Sequence, residues 1–318
     1  MANNYIIGNN NVGYFLAYIL ENTTLILHKT LEELDYNAGP KVIPTSLLSL
    51  VKNNFENIAV LELQRFYDDR GKCTSVIPKN FENLYSLYTR GKTSVDESYY
   101  KNLEKYEKFI SINNNGPEKS FDLFFEKIKE SVNKRIIDNA ITNIDLSGNI
   151  TVGGEVLEYN RIISTINIID LSELDNSGKI RDSITENYRL EGFNLPFNDK
   201  FVYVCSLDSK EDNILSKLYK QVLVTGKPYF RKTYIDNIII YESMRNIYEK
   251  DIEGNKVLEY IESTQITDNL RINKVMGIDL VGKFSEWNEN TDLETIYNRA
   301  KELKEFYNLS ENNHKKVL

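Results

Sequence analysis

The first twenty residues constrain the fold most. Tyr5-Ile6-Ile7 is a short apolar strand, Gly8-Asn9-Asn10-Asn11-Val12-Gly13 follows it, and Tyr14 to Leu20 reads as an apolar helix. A strand, a tight turn closing on glycine and a helix open a βαβ dinucleotide fold. Thr24 to Leu27 is then its second strand, with Asn22-Thr23 as the turn. Gly8 permits the tight turn, Gly13 lets the helix pack on the strand, and Ala17 keeps that contact close one turn on. Free N–H groups at the helix start then attract a pyrophosphate. Two positions depart from the fingerprint. Asn10 replaces the glycine that lets backbone approach the phosphate, although Asn tolerates a left-handed backbone. His28-Lys29 stands where a carboxylate accepts both ribose hydroxyls. The alternative for residues 5–28 is a βαβ unit that holds no ligand.

Further along, Ser46 to Lys52 reads as a helix. Residues 58–67 alternate and meet a turn at Asp68-Asp69-Arg70-Gly71 before Val76-Ile77-Pro78, which predicts two paired strands. Residues 80–132 have helical spacing and read as an inserted cap; its Thr89-Arg90-Gly91-Lys92 is an anion-holding turn or a solvated loop. A meander of short strands runs from Ile136 to Tyr159, and Arg161 to Ile166 is a β-branched run suited to a buried parallel strand. Residues 201–244 predict an antiparallel sheet with a helix at 211–221. Val275 to Gly282 reads as a closing strand, Leu293 to Tyr307 as the last helix, and the charged tail after Leu309 as frayed.

Composition narrows the function. With 318 residues, 41 % hydrophobic and 27 % charged, the chain buries a core unaided as one large domain or two entangled ones. Lys+Arg 39 against Asp+Glu 47 gives a net charge of −8, which argues against general affinity for nucleic acid or anionic membranes and leaves a local basic groove open. Cys73 and Cys205 are far apart and there are two His, so neither a disulfide framework nor a zinc site is signalled and no metal is expected. No signal peptide or 18-residue apolar stretch is present, so a cytoplasmic protein with no membrane span is expected. No nucleophile or carboxylate constellation emerges from spacing, so no catalytic residue is assigned, and oligomeric state is not signalled.

Four separated segments resemble one family: IIGNNNVGYFLAYI at 6–19, Gly39-Pro40-Lys41, ITVGGEVLEYNRIISTI at 150–166, and VMGIDLVGKFSEWNENTDLETIYNRAKEL at 275–303. Their order and spacing look like the FAD-dependent amine oxidase, protoporphyrinogen oxidase and UDP-galactopyranose mutase class of flavoproteins. The resemblance implies an α/β protein with a Rossmann-like FAD-binding fold, an inserted helical cap and an antiparallel substrate-side sheet. It places the nucleotide-binding part at 1–55, 133–190 and 265–318, and the cap and substrate part at 56–132 and 191–264.

In that class the first segment holds the ADP pyrophosphate, so Gly8, Asn10, Gly13, His28 and Lys29 become cofactor contacts. Gly39, Pro40 and Lys41 either set backbone against the isoalloxazine or form a plain turn. Gly282 and Lys283 face the flavin, with Lys283 where the class has Arg. Trp287 walls the flavin or anchors the core. Tyr229, Arg231 and Tyr241 fall on strands that line the substrate face. There an Arg between aromatics clamps a carboxylate or phosphate, unless the aromatic strand is simply core. The working expectation is an FAD-dependent oxidoreductase of an amine or an amino-modified nucleotide or base, binding FAD weakly, or with a compensating acidic residue from elsewhere, because the ribose carboxylate is absent. The rivals are a nucleotide-sugar mutase and a non-catalytic binding or structural protein on the same fold.

Overall fold

The computed structural model describes residues 3–28, 42–62, 64–75, 108–195, 197–207, 220–235, 238–243, 247–252, 257–266, 270–282, 284–286 and 291–315. The chain begins β1 (Asn3–Ile7), α1 (Asn11–Ile19), β2 (Thr23–Ile26), α2 (Leu48–Lys52), β3 (Ile58–Glu62), β4 (Gln64–Asp69), β5 (Lys72–Thr74) and β6 (Lys108–Ile112). It continues α3 (Pro117–Val132), β7 (Ile136–Ile137), β8 (Ile141–Asp145), β9 (Asn149–Val152), β10 (Glu155–Ser164), α4 (Ile168–Glu173) and α5 (Lys179–Tyr188). Then come β11 (Phe197–Leu207), β12 (Lys220–Thr225), β13 (Arg231–Ile235), β14 (Ile238–Ser243), β15 (Val257–Ile266), β16 (Lys274–Val275), β17 (Ile278–Leu280) and α6 (Leu293–Lys315). Two compact units result: Met1–Glu33 with Phe125–Pro196 and Asp268–Leu318, and Leu34–Phe124 with Phe197–Thr267.

The first unit is built on a sheet of order β16-β17-β10-β1-β2-β7, with β8 and β9 carried on β10. β1 is central and parallel to both neighbours, Ile7 lying opposite Ser164 on one side and Ile26 on the other. This is the expected place for the glycine turn, just past the carboxyl end of a middle strand. Ile6, Ile7, Leu25, Ile26, Ile162 and Ile163 are all buried, as strands covered on both faces must be. β10 does two jobs. Its first residues pair antiparallel with β9 and are exposed or half-buried, whereas Ile162, Ile163 and Ser164 enter the sheet beside β1 and are buried in succession.

α1 buries Gly13, Phe15, Leu16, Ala17 and Ile19, and the Phe15 ring lies 6.1 Å from those of Phe125 and Tyr297. The far end of α1 is closed by Arg135. Its Nη2 donates to the Ala17 carbonyl at 2.7 Å, and its Nη1 lies near the carbonyls of Leu20, Glu21 and Thr23 at 3.3, 3.0 and 2.9 Å. One planar guanidinium thus serves the Ala17 carbonyl, which the helix C-terminus leaves open, together with carbonyls of the turn into β2, and places a cation at the negative end of the helix dipole.

The second unit holds a sheet of order β15-β11-β14-β13-β12-β4-β5 and a two-stranded sheet of β3 with β6. Val222, Val224, Tyr229, Ile239, Tyr241, Ile247 and Ile252 form a core cluster on it. Among the described residues no helix is long and apolar enough to cross a membrane.

Several expectations need correction. Lys108–Ile112 is a strand rather than part of a helical cap: Phe109 to Ile112 are all buried, and β3 supplies their antiparallel ladder. The hairpin at Asp68 to Gly71 exists, with the Asp68 carboxylate accepting from the Gly71 N–H at 2.7 Å, but it joins β4 to β5 while β3 leaves for the other sheet. The larger sheet is mixed, since β12 runs parallel to β4. Lys220 and Gln221 are strand, and the rest of the helix expected at 211–221 lies outside the described residues. Residues 275–282 turn at Met276-Gly277 instead of running straight, so β16 and β17 pair antiparallel. The last helix continues to Lys315.

The units also divide the chain differently from the expected boundaries. Residues 42–55 belong with the second unit, because the Ile43 carbonyl accepts from the Ile110 N–H at 2.9 Å and Ile43, Leu47 and Val51 are fully buried. From Phe125 onward α3 belongs with the first unit, where Phe125 packs on Phe15.

Replacing Arg135 by Ala should lower stability by about 2–3 kcal/mol, because hydrogen bonds from a charged group are each about 1.5–3 kcal/mol and the Ala17 carbonyl loses its donor. The check is the shift of the urea midpoint, and Arg135→Lys should recover less than half of it, since an ammonium lacks the planar fork.

Candidate functional site

The turn after β1 is shaped by a residue that the glycine fingerprint does not include. A Cβ on Gly8 would stand 2.0 Å from Thr165 Oγ1, and one on Gly13 would meet Leu25 Cδ1 and Thr165 Oγ1 at 3.3 Å each. Thr165 follows the last residue of β10, and its N–H donates to the Ile7 carbonyl at 2.8 Å. Both glycines therefore make room for this threonine and for the close packing of α1 on the sheet. The sequence signal was present in the IISTI stretch, but contact between residues 157 apart is not visible in it.

Asn10 is the N-cap of α1. Its backbone is extended, φ −130° and ψ 170°, so the left-handed tolerance of Asn is not used. Its Oδ1 accepts from the Gly13 N–H at 2.9 Å and lies 3.3 Å from Thr165 Oγ1, while its Nδ2 donates to the Thr165 carbonyl at 3.1 Å. The third N–H of the helix is thus already satisfied by the protein, contrary to the expectation of a free set. Those of Asn11 and Val12 have no intrahelical acceptor by geometry.

Two other expected residues lie in the same unit. Gly282 has φ +117°, a conformation that favours glycine, and a Cβ there would be 3.7 Å from Val12 in the first turn of α1. The strand before it is tied in by the Val281 N–H, which donates to the Ser164 carbonyl at 3.0 Å. His28 follows β2, and its Nδ1 is buried with no hydrogen-bond partner. Burial holds its imidazole below the ordinary value of 6.5 and so keeps it neutral. Lys29, Gly39, Pro40, Lys41, Lys283 and Trp287 lie outside the described residues.

In the second unit the expected substrate residues do not share a face. Arg231 stands opposite Glu242 and Lys232 opposite Tyr241 in the β13–β14 ladder, and side chains alternate along a strand. Arg231, Thr233 and Glu242 therefore share one face, and Tyr241 takes the other. Tyr229 and Tyr241 are core residues, 1 % and 0 % exposed, their rings edge to face at 4.9 Å. The guanidinium expected to clamp an anion instead closes on a carboxylate of the same sheet: Arg231 Nε and Nη2 both reach Glu242 Oε2. Complete burial pushes the Glu242 carboxyl above its usual range, while Arg231 pulls against that shift. Glu242 Oε1 and Thr233 Oγ1 are buried without hydrogen-bond partners. The pairing was readable in principle. A hairpin that sets Ile235 against Ile238 sets Arg231 against Glu242 by counting outward.

No sequence-family profile matches the chain, and no curated protein matches it. Solved structures do. A reduced UDP-galactopyranose mutase is 12 % identical, covers 93 % of this chain and 91 % of its own, and superposes with a TM-score of 0.59. An oxidoreductase from Methanosarcina mazei is 9 % identical, with coverage of 95 % and 100 % and a TM-score of 0.66. Cyclohexylamine oxidase from Brevibacterium oxydans is 9 % identical, with coverage of 95 % and 99 % and a TM-score of 0.61. The chain thus shares the fold of these solved structures, a mixed α/β architecture with a Rossmann-like parallel sheet.

A lowered His28 favours folding above the ordinary histidine value of 6.5, where both states are neutral at no cost, and that contribution is lost as pH falls through the lowered value. Of the two imidazole resonances in an NMR titration, the one removed by His28→Gln should therefore titrate below 6.5. The His28→Gln protein should also lose less stability than the parent on acidification through that window.

Proposed function

We propose that the chain is an FAD-dependent oxidoreductase that holds the cofactor at the carboxyl edge of the first unit's parallel sheet. The observation that carries this reading is the Gly8–Gly13 turn after a central parallel strand, where an open α/β sheet binds nucleotides. The residues present fit the adenosine diphosphate half of FAD. The Asn11 and Val12 N–H groups would face the pyrophosphate at the positive end of α1. His28 Nδ1, neutral and without a partner, would accept from a ribose hydroxyl in place of the missing carboxylate. When bound, the flavin supplies a hydride acceptor; position, electrostatics and exclusion of water are the protein's share.

The substrate in this reading is an amine or an amino-modified nucleotide or base, in line with the amine oxidases among the similar folds. The likeness to a UDP-galactopyranose mutase keeps a nucleotide-sugar mutase as the related alternative. A second reading, a fold kept for binding without catalysis, is favoured by two observations: Asn10 occupies a helix N–H, and Glu242 neutralises Arg231.

The experiment is the visible spectrum of the purified protein after gel filtration, followed by titration with FAD. Flavin absorption that co-elutes, or saturable uptake of added FAD with release on denaturation, is the expected outcome. A colourless protein that takes up no FAD would leave the non-catalytic reading in its place.

A further inference from the structure

We infer that His28 turns the ribose corner of the first unit into a donor as well as an acceptor, so that this corner takes adenine nucleotides phosphorylated at the 2′ position, which a carboxylate there excludes. This rests on the reading of the first unit as the site of an adenine dinucleotide. The observation behind it is a mismatch between residue and ribose. At the end of the second strand of such a sheet an Asp or Glu ordinarily meets the adenosine ribose. A carboxylate accepts from the ribose hydroxyls, has no hydrogen to give and repels a phosphate. His28 stands there instead, two residues past β2. The last residue of β2, Ile26, accepts through its carbonyl from the Gly8 N–H at 3.1 Å, so His28 and the glycine turn leave the sheet at the same edge.

The two ring nitrogens are placed differently. Nδ1 is buried without a hydrogen-bond partner, whereas Nε2 is not among the buried unpartnered atoms and keeps contact with solvent. Burial keeps the ring neutral, and no charged group among the described residues adds to that shift, so no acidic side chain among them replaces the missing carboxylate. A neutral imidazole carries one N–H and one acceptor nitrogen. With the hydrogen on Nε2, the ring offers a donor toward solvent and keeps Nδ1 as an acceptor. A ribose with both hydroxyls free, as in FAD, then has one acceptor where a carboxylate gives it two. A 2′-phosphate gains the Nε2–H, and hydrogen bonds to ionised groups are roughly twice as strong as neutral ones. The 3′-hydroxyl still has Nδ1. The replacement that weakens the hold on an unmodified ribose therefore favours the phosphorylated one.

The test is calorimetric binding of ADP, FAD, 2′-phospho-ADP and its 3′-phospho isomer by the full chain, in the parent, His28→Asp and His28→Leu, with circular dichroism to check the fold. The parent should bind 2′-phospho-ADP about tenfold tighter than ADP, equivalent to about 1.4 kcal/mol. His28→Asp restores an acceptor-only carboxylate and should reverse that order, with ADP about tenfold the tighter ligand. His28→Leu has no donor and should lose the preference; it serves alone if the Asp variant does not fold. The 3′-phospho isomer should gain less than the 2′ form. Parent protein that binds ADP and FAD but 2′-phospho-ADP no tighter overturns the inference and leaves the FAD reading standing. So does an equal gain for the 3′ isomer, which marks attraction to charge alone, or a preference unchanged in both variants. Preference for 2′-phospho-ADP with no uptake of FAD supports the inference and overturns the FAD reading. Folded parent protein that binds none of the four overturns both.

Discussion

The contact between Thr165 and the two glycines is the constraint on which the first unit depends. Thr165 brings the end of β10 to within hydrogen-bond distance of the end of β1, and its hydroxyl occupies the volume a Gly8 side chain would need. The same oxygen limits Gly13, which in turn lets α1 lie close over Leu25. A strand, a helix and a second strand distant in sequence are thereby fastened at one corner. That corner is the carboxyl edge of a parallel sheet, where helix N-termini point outward and anions bind. The N-cap Asn10 is held by the same threonine, so the packing of this corner and the capping of α1 are one problem.

The second unit resolves a different conflict. One face of its larger sheet is a core of Val222, Val224, Ile239 and Tyr241, and the opposite face carries Arg231, Thr233 and Glu242. A carboxylate as deeply buried as Glu242 needs a compensating charge, and Arg231, directly across the ladder, provides it. The pair removes Arg231 from the set of cations available to an anionic ligand. What remains on this face are Glu242 Oε1 and Thr233 Oγ1, buried without hydrogen-bond partners.

Much of the first unit was legible in the sequence because its signals are local. The Tyr5-Ile6-Ile7 run, the glycine pair and the apolar helix lie within fifteen residues, and the meander up to Ser164 carries a turn at each end. The second unit was less legible. Lys108–Ile112 forms a strand only because β3, some fifty residues earlier, offers an edge, and β12 runs parallel to β4 across a still longer separation. Pairings of that range leave no periodicity to read.

The sequence by itself determined the βαβ opening, the identity of Asn10 and His28 in and after it, and the order of segments along the chain. Only the tertiary structure decided what those residues do. Thr165 fills the space of Gly8, Asn10 turns its amide back onto its own helix, and strand alternation sends Arg231 and Tyr241 to opposite faces. The physical reason is that residue type and local spacing set backbone preference within a few residues. Which acceptor meets which donor is settled by strands brought together from distant parts of the chain, where burial makes every polar atom find a partner or wait for one.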